Sequence, residues 1–298
     1  MAPSPWHDGE RAVQQRVGEV HLADRVAGGV GRAVPEVAAA FLAQQPMLVV
    51  AAAAPGGDVW TTLLTGPPGF LAVPRPDTLE VAAAPDPGDP LHGVLGGRAP
   101  VGALAIEPAT RRRMRLNGRS HPVPDGLRID LDQVFANCPK HIRPRQVVAA
   151  HARPGDGGRA WATAAALSDR QADLVAAADT FFLGTTDAAG NADASHRGGD
   201  PGFVEVVDGG RRLRFPDYRG NSMYMTLGNL EQEPRAGLLF LDWTTGDVVQ
   251  VTGRARVRYE VDAAFRARHP RARRAVEVEV ASVVERSGAS PLTWATVA

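Results

Sequence analysis

The sequence predicts a mainly β protein with flanking helices, arranged as two barrels in tandem. Three observations lead to this fold class. Short apolar or alternating runs are separated by turn residues, and the spacing between them is too short for repeated βαβ crossovers. In addition, one half of the chain repeats the other.

The bulk composition is that of a globular protein with room for two domains. The chain has 298 residues, 44% hydrophobic and 22% charged, and its 33 basic and 33 acidic residues give no net charge. This balance gives no electrostatic reason to expect nucleic acid or a membrane as partner. No apolar run approaches the ~20 residues of a membrane helix, and no signal peptide is recognisable. Cys138 is the single cysteine, so no intrachain disulfide can form, and we expect a cytoplasmic protein.

The repeat relates residues 47–119 to residues 180–254. Two anchors align at nearly the same offset, Gly69-Phe70 with Gly202-Phe203 and Asn117-Gly118-Arg119 with Thr252-Gly253-Arg254. A strand-like segment lies between the anchors in both copies. We infer a duplicated domain; the alternative is chance similarity between two β-rich stretches with many glycines and prolines.

Each copy contains several short strands. Continuous apolar runs or period-two alternation predict strands over residues 47–53, 181–185, 203–207, 211–215, 237–242, 248–257 and 276–280. Asp208-Gly209-Gly210 separates two of these runs and predicts a hairpin turn. The pattern is therefore that of barrel strands joined by tight turns.

Helices occupy the gaps between the strands. Residues 35–45 predict a helix that buries Val37, Phe41 and Leu42 on one face. Further helices are predicted after the capping-box pair Ser168 and Gln171, over residues 223–233 before Pro234, and over residues 262–269.

A polar, Gly-rich stretch over residues 151–158 is the predicted linker. It divides the chain into an N-terminal domain of residues 1–150 and a C-terminal domain of residues 159–298.

Two polar clusters of the second copy have the composition of an anion site. They are Ser195-His196-Arg197-Gly198-Gly199 and Phe215-Pro216-Asp217-Tyr218-Arg219-Gly220-Asn221-Ser222, and the second directly precedes a predicted helix. Phosphate groups are bound by Arg forks, hydroxyls, amides and backbone N–H groups at a helix start. In the alternative interpretation, Asp217, Asn221 and Ser222 form turns and cap that helix.

The order of motifs in the second copy resembles a known family. The motifs are Ala178-Asp179-Thr180-Phe181-Phe182-Leu183-Gly184-Thr185, the two polar clusters with Pro201-Gly202-Phe203 between them, and Leu227-Gly228-Asn229. Together they closely resemble the FMN-binding split-barrel family related to pyridoxamine 5'-phosphate oxidase. Asn137-Cys138-Pro139-Lys140 is similar to a segment of such flavin-nucleotide-binding proteins. The resemblance implies two tandem split β-barrels that form a pseudo-dimer, with FMN bound between them.

The resemblance also implies roles for particular residues. The phosphate candidates are Arg197, Asn221 and Ser222, the residues lining the isoalloxazine are Ser195, His196, Asp217 and Tyr218, and Asn137 and Lys140 reach in from the other side. No metal ligand and no catalytic acid or base is implied. Oxidases of the family proper carry a Ser-Arg-Lys run near the phosphate. This chain has Gly220-Asn221-Ser222 there, which speaks against pyridoxamine phosphate oxidation itself.

The first copy lacks these ligand groups. It carries Thr62-Leu63-Leu64 in place of Ser195-His196-Arg197, and residues 86–91 replace the second cluster without an Arg or Asn. We therefore expect a degenerate first barrel that supplies the opposite wall of one flavin site per chain. The chain is then a monomeric pseudo-dimer; a homodimer with sites between chains is the competing arrangement.

The function implied by the resemblance is that of an FMN-dependent oxidoreductase. Its partners would be a small-molecule substrate and an electron donor, either a reduced nicotinamide or a partner reductase. The alternative is a flavin- or haem-binding protein without turnover, acting as a sensor, carrier or storage module. A deazaflavin could also take the place of FMN.

Two other features have a simpler interpretation. Cys138 and His141 stand at helical i, i+3 spacing and could form a thiolate–imidazole pair, but no third orienting group is identifiable. Arg111-Arg112-Arg113 with Arg115 is interpreted as a solvated strand end or turn, and contact with a phosphate is its weaker interpretation.

Overall fold

The computed structural model describes residues 4–150 and 162–297. The first half contains helices α1 (Asp8–Arg16), α2 (Val20–Val26), α3 (Glu36–Ala43) and α4 (His92–Leu95), and strands β1 (Met47–Ala53), β2 (Val59–Thr65), β3 (Leu71–Arg75), β4 (Thr78–Val81), β5 (Ala99–Glu107), β6 (Arg112–Val123), β7 (Gly126–Ala136) and β8 (Arg145–Ala150). The second half contains helices α5 (Asp169–Ala177), α6 (Met225–Gln232) and α7 (Ala263–Arg268), and strands β9 (Ala162–Ala164), β10 (Thr180–Thr186), β11 (Ala192–Gly198), β12 (Glu205–Val207), β13 (Arg212–Tyr218), β14 (Arg235–Leu241), β15 (Val248–Arg258), β16 (Ala272–Arg286) and β17 (Leu292–Thr296).

The two halves build the same antiparallel sheet. The strand order is β2-β1-β5-β6-β7-β4-β3 in the first half and β11-β10-β14-β15-β16-β13-β12 in the second. Each position in one order corresponds to the same position in the other. Within the described part of the chain, the two outer strands of each sheet do not pair with one another, so each barrel is split rather than closed. This confirms the predicted tandem of split β-barrels.

Residue-level register supports the duplication. Ala51 pairs with Gly102 in the first sheet, and Gly184 pairs with Gly237 in the second, as the sequence alignment of the two copies requires. Both sheets also carry a bulge at the second anchor, between Asn117 and Gly118 and between Thr252 and Gly253. A Cβ atom on Gly118 would lie 2.0 Å from the carbonyl oxygen of Asp130, and one on Gly253 would lie 2.1 Å from that of Glu279. Both copies of the second anchor therefore need glycine for the same steric reason.

Most predicted elements are found close to their predicted bounds. The β12–β13 hairpin turns at Asp208, Gly209 and Gly210, which all have positive φ. The strand predicted over residues 276–280 is longer than expected, because β16 pairs along its length with both β15 and β13. The predicted linker over residues 151–158 lies outside the described residues.

The prediction for Val37 was wrong. Phe41 and Leu42 of α3 are buried, whereas Val37 is 81% exposed. The helix has only eight residues and begins at Glu36. Val37 therefore lies in its first turn, beyond the edge of the first barrel's core.

Apolar packing forms one core inside each barrel and a third core between the barrels. The third core contains Val49 and Leu104 from the first barrel and Phe182 and Leu239 from the second, all without exposed surface. Two symmetry-related glycines allow the backbones to approach. A Cβ atom on Gly102 would lie 2.4 Å from the Cα atom of Asp193 in β11, and one on Gly237 would lie 2.5 Å from the carbonyl oxygen of Val59 in β2. The barrels are therefore related as the two halves of a pseudo-dimer.

The N-terminal helix α1 packs on α6 of the second barrel. Gly9 and Gly228 lie at the crossing, where a Cβ atom on Gly9 would come within 2.2 Å of the carbonyl oxygen of Gly228. The side-chain amide of Gln14 in α1 donates to the carbonyl of Met223, just before α6, at 3.0 Å. The first residues of the chain thus contact both barrels, because Trp6 also packs in one cluster with Phe135 of β7 and with Met223 and Met225.

No helix among the described residues has both the length and the apolar character needed to cross a membrane. The cytoplasmic location stays a prediction.

Candidate functional site

A cavity lies where the two barrels meet, between β6 of the first barrel and β11 and β13 of the second. The segment 137–141, which follows β7, and the loop 219–224, which precedes α6, complete its walls. Its volume is about 120 Å³. Exposed residues such as Lys140 and Arg219 line its solvent side, so a ligand of mononucleotide size would extend outward past them.

The cavity brings together all but one of the predicted site residues. Those that line it are Asn137, Lys140, His196, Arg197, Asp217, Tyr218, Asn221 and Ser222. Ser195 is the exception. It is fully buried, its hydroxyl donates to the carbonyl of Leu183 at 3.3 Å, and Thr226 of α6 donates to it at 3.2 Å. Successive strand residues face opposite sides, so Ser195 and His196 cannot act as a pair.

Asp217 is held between two arginines at the inner wall. One carboxylate oxygen accepts from Arg197 Nη1 at 3.1 Å, and the other accepts from Arg274 Nε and Nη2 at 3.0 and 2.8 Å. Burial lowers the pKa of Arg197, although the Asp217 carboxylate opposes this shift. The ion pairs fix the guanidinium of Arg197 at the cavity, with its Nε still without a partner.

The loop over residues 219–224 is conformationally strained. Ser222 and Tyr224 have φ values of 63° and 62°. These values lie in the left-handed region, which residues other than glycine seldom adopt. Asn221 Oδ1 accepts from the backbone N–H of Met223 at 3.2 Å, as the turn interpretation of this residue expects. Such strain persists only where neighbouring contacts hold it.

Glu19, at the start of α2, supplies one of those contacts. The hydroxyls of Ser222 and Tyr224 both donate to Glu19 Oε2 at 2.7 Å. Burial alone would raise the pKa of Glu19, but these two hydrogen bonds and the nearby Arg219 hold it below its usual value. A phosphate that uses the Ser222 hydroxyl must therefore compete with a carboxylate of the chain itself.

The first barrel contributes two arginines that the sequence interpretation assigned to a solvated strand end. Arg113 Nη1 donates to His196 Nδ1 at 2.9 Å, and its Nη2 donates to the carbonyl of Cys138 at 2.8 Å. Arg115 Nη1 forms an ion pair with Asp193 at 2.8 Å. Burial, with Arg115 and Arg197 nearby, lowers the pKa of Arg113 to about 10, so it remains cationic at neutral pH.

The solvated interpretation is therefore wrong for Arg113 and Arg115. The signal that could have found them is their i, i+2 spacing, which places both on the same face of a strand. Arg112 lies on the other face, exposed and paired with Glu107.

Cys138 and His141 do not form the helical pair that their spacing allows. Residues 137–141 are not helical, and Cys138 is exposed. His141 has a φ of 65° and stacks on Tyr218, with ring centroids 5.1 Å apart. Its ring therefore braces the Tyr218 wall of the cavity.

Several buried polar atoms around the cavity have no partner. Among the described residues these include Arg113 Nε, Arg115 Nε, Asn137 Oδ1, His196 Nε2 and Arg197 Nε, all on residues that line the cavity. Buried donors and acceptors without partners are costly and uncommon in native proteins. Their convergence on one basic cavity makes this cavity the candidate functional site.

The symmetry-related position between the barrels is almost filled. There Thr62 and Leu63 of β2 face Val248 and Gln250 of β15, around a cavity of about 20 Å³. Asp89 accepts from the Thr62 hydroxyl at 2.5 Å and from Gln250 Nε2 at 3.3 Å. The two related positions thus differ in both charge and space.

The described residues thus form a tandem of split barrels with a basic cavity between them. Residues 167–291 match the family model described as pyridoxamine 5'-phosphate oxidase. The resemblance to that family is thereby confirmed for the second barrel.

Three solved structures similar to the chain each match about two fifths of it. HupZ from Group A Streptococcus is 14% identical over 39% of this chain and 91% of its own, with a TM-score of 0.34. A protein of the pyridoxinephosphate oxidase family from Clostridium acetobutylicum is 11% identical over 42% and 89%, with a TM-score of 0.29. An FAD-binding protein from Mesorhizobium loti is 13% identical over 43% and 97%, with a TM-score of 0.31. A comparison with curated proteins finds no match.

Proposed function

We propose that the chain binds FMN in the cavity between its barrels and acts as a flavin-dependent oxidoreductase. The observation that carries this proposal is the set of unpartnered buried polar atoms that line one basic cavity. A phosphate-bearing heterocycle would satisfy the N–H donors of Arg115 and Arg197 and the carbonyl acceptor of Asn137.

The residues around the cavity suit the two ends of a flavin nucleotide. Arg197, Asn221 and Ser222 are the proposed phosphate ligands, with Arg115 adding positive charge from the first barrel. Tyr218 and the apolar side chains of Met223, Met225 and Leu227 offer a surface for the ring system.

The protein's own part in the reaction would be to bind, orient and shield. His196 and Asp217 would face the ring, while Asn137 and Lys140 would approach it from the first-barrel side. A bound flavin would supply the electron transfer between a donor, such as a reduced nicotinamide or a partner reductase, and a small-molecule substrate. We do not propose pyridoxamine phosphate as that substrate, because the family's lysine is absent from Gly220-Asn221-Ser222.

The haem alternative is less compatible with His196. Arg113 donates a hydrogen bond to Nδ1 of this ring. The lone pair of Nδ1 accepts that bond, and Nε2 carries the proton. Neither nitrogen is then available to iron. A deazaflavin would present the same phosphate and ring chemistry as FMN, so it stays an alternative cofactor.

The test is a spectrum of the purified protein, followed by titration of the apoprotein with FMN. We expect the absorption of oxidised flavin at about one FMN per chain. Arg197→Ala should weaken FMN binding roughly tenfold to a hundredfold, because a charged hydrogen-bonding group is lost. Arg258→Ala is the matched control, since Arg258 pairs with Glu277 away from the cavity.

A colourless protein that takes up no FMN would show that the proposal is wrong, and a Soret band would favour haem. Turnover is tested separately by anaerobic addition of a reduced nicotinamide. Bleaching of the bound flavin supports the oxidoreductase, whereas a flavin that no donor reduces supports the non-catalytic binder.

A further inference from the structure

Arg113 and His196 form a hydrogen bond between the two barrels. Arg113 lies on β6 and His196 on β11, and Arg113 Nη1 is 2.9 Å from His196 Nδ1. A guanidinium group can only donate hydrogen bonds, so Nδ1 must be the acceptor. A neutral imidazole with a bare Nδ1 carries its proton on Nε2. The contact therefore fixes the tautomer of His196.

The surroundings of His196 also favour the neutral form of its imidazole ring. It is 7% exposed, and the cations Arg113, Arg197 and Arg145 lie close enough to disfavour its protonation. Burial and this positive surrounding lower the pKa of His196 well below its usual value. At neutral pH the side chain is an Nε2–H donor rather than an imidazolium.

No hydrogen-bond partner for the Nε2–H group is found in the described part of the chain. Nε2 is buried, makes no hydrogen bond among the described residues, and belongs to a ring that lines the cavity. A donor in this position costs free energy unless a ligand accepts its hydrogen bond.

The duplicated fold shows what the same position needs for packing alone. The counterparts of Arg113 and His196 at the symmetry-related position are Val248 and Leu63, which contribute to the apolar core between the barrels. An apolar pair therefore packs well at this place in the fold. The polar pair is a feature of one position only, the one with the open cavity.

We propose that Arg113 is a positioning residue, which locks His196 in the Nε2–H tautomer so that His196 donates a hydrogen bond to the ligand. The ligand is a planar heterocycle with an acceptor atom on its edge, such as a carbonyl oxygen or an unprotonated ring nitrogen of a flavin. Its identity as FMN rests on the proposed function above. The degenerate first barrel thus takes part in ligand recognition through a residue of the second.

The tautomer is measured first, without any ligand. In a ¹⁵N–¹H correlation spectrum of the apoprotein, the His196 signals are assigned by their loss in His196→Leu. We expect the Nε2–H form in the wild-type protein. In Arg113→Val, which introduces the counterpart residue, we expect a mixture of tautomers and a higher pKa of His196. Arg112→Val is the control, because Arg112 is exposed and pairs with Glu107.

Ligand binding is measured second, with FMN as the probe. Arg113→Val should weaken FMN binding roughly tenfold, the loss expected for one hydrogen bond. His196→Leu should weaken it to a similar extent. The double variant Arg113→Val, His196→Leu should bind FMN no more weakly than His196→Leu alone, because Arg113 acts through His196.

The outcomes separate this inference from the proposed function. If Arg113→Val weakens binding equally with and without His196, Arg113 contacts the ligand directly and the positioning role is wrong. An Nδ1–H tautomer in the wild-type protein would also overturn it. If the wild-type protein shows the Nε2–H tautomer but binds no FMN, the proposed function fails and the donor serves another heterocycle. Circular dichroism of each variant checks that it is folded.

Discussion

Glu10 is a carboxyl group buried at the contact between α1 and the second barrel. It is 1% exposed, and its side chain accepts from the backbone N–H of His7 at 2.9 Å as part of a capping box. Burial raises the pKa of Glu10 to about 8, and the nearby Asp193 adds to this shift. The folded protein therefore holds a proton on Glu10 at neutral pH that the unfolded chain releases.

The first prediction follows from this difference in pKa. The unfolded chain deprotonates Glu10 near pH 4.5 and the folded protein near pH 8, so stability is lost as the pH rises between these values. Glu10→Gln keeps the hydrogen bond from His7 but cannot ionise. We expect the variant to be more stable than the wild type at pH 9, by on the order of a few kcal/mol, and similar to it at pH 4. Urea unfolding at a series of pH values measures this.

Glu36→Gln is the matched control for that prediction. Glu36 also lies in the first turn of a helix, but it is exposed. Its replacement should leave the pH dependence of unfolding unchanged. Equal pH profiles for wild type and Glu10→Gln would show that Glu10 is ionised in the folded protein at neutral pH.

For single residues, the sequence identified members of the candidate site but not the side chains with which they form ion pairs. The motifs pointed to His196, Arg197 and Asp217, and the cavity contains all three. The structure adds that Asp217 is neutralised by Arg197 and Arg274. Arg274 lies on β16, far along the chain from Asp217 on β13, and it is the pairing of these two strands that brings the charges together. No local pattern encodes such a contact.

Among the elements, the crossing of α1 and α6 links the N-terminus to the candidate site. Gly228 lies in the Leu227-Gly228-Asn229 motif, and a Cβ atom there would lie 2.5 Å from the backbone nitrogen of Glu10. Asn229 Oδ1 accepts from His7 Nε2 at 2.9 Å, and Asn229 Nδ2 donates to the Thr185 hydroxyl at 2.9 Å. The motif therefore has a structural role. Gly228 leaves room for α1 to pack closely, and Asn229 holds α1 by a hydrogen bond to His7.

The second prediction concerns this crossing. Gly228→Ala should push α1 away from α6 and lower the free energy of unfolding by about 1–3 kcal/mol, as overpacking does. FMN binding should weaken as well, because α1 and α2 hold the strained loop through Gln14 and Glu19. Thermal unfolding and FMN titration measure the two effects.

Gly93→Ala in α4 is the control for the helical glycine. Nothing lies within 4 Å of a Cβ atom at Gly93, so alanine should be neutral or slightly stabilising there, by up to about 1 kcal/mol. If Gly228→Ala behaves like Gly93→Ala, the close approach of α1 to α6 does not constrain the protein.

The sequence predicted the secondary-structure elements better than the contacts between them. Period-two alternation and Gly-rich turns located β13 and β15 and the hairpin after β12, because these signals are local. The length of β16 and the exposure of Val37 were not predicted. Both depend on which neighbouring elements cover the residues, and that is a tertiary property.

For the whole molecule, the third core joins the two barrels through fully buried apolar side chains. Leu104 and Phe182 are fully buried between the barrels. The same contact creates the candidate site, because β6 and β11 meet only when the barrels are packed together. Stability and ligand binding should therefore depend on it jointly.

The third prediction tests that dependence. Leu104→Ala should lower the free energy of unfolding by about 2–5 kcal/mol, the usual cost of such a cavity, and should also weaken FMN binding under conditions where the protein remains folded. Circular dichroism in the far ultraviolet reports the secondary structure of both barrels, and tryptophan fluorescence reports the first core through Trp60 and the third core through Trp243. If the cores unfold together, both signals should show the same single transition.

Leu79→Ala provides the comparison within one barrel. Leu79 is equally buried, but it belongs to the first barrel's own core. We expect a similar loss of stability with FMN affinity retained. Two separate transitions, or equal effects of both variants on FMN affinity, would contradict the role given to the third core.

The sequence by itself determined the duplication, most strands and helices, and the polar motifs of the second barrel. These features have local signals, in the alternation of side chains, the glycines at the bulges and the order of the motifs. The tertiary structure alone decided which side chains of the first barrel line the cavity opposite those motifs. It also paired Arg113 with His196 across the barrels and docked Glu19 on Ser222. The physical reason is that the packing of the two barrels, not the periodicity of any segment, sets the distances between side chains so far apart in the chain.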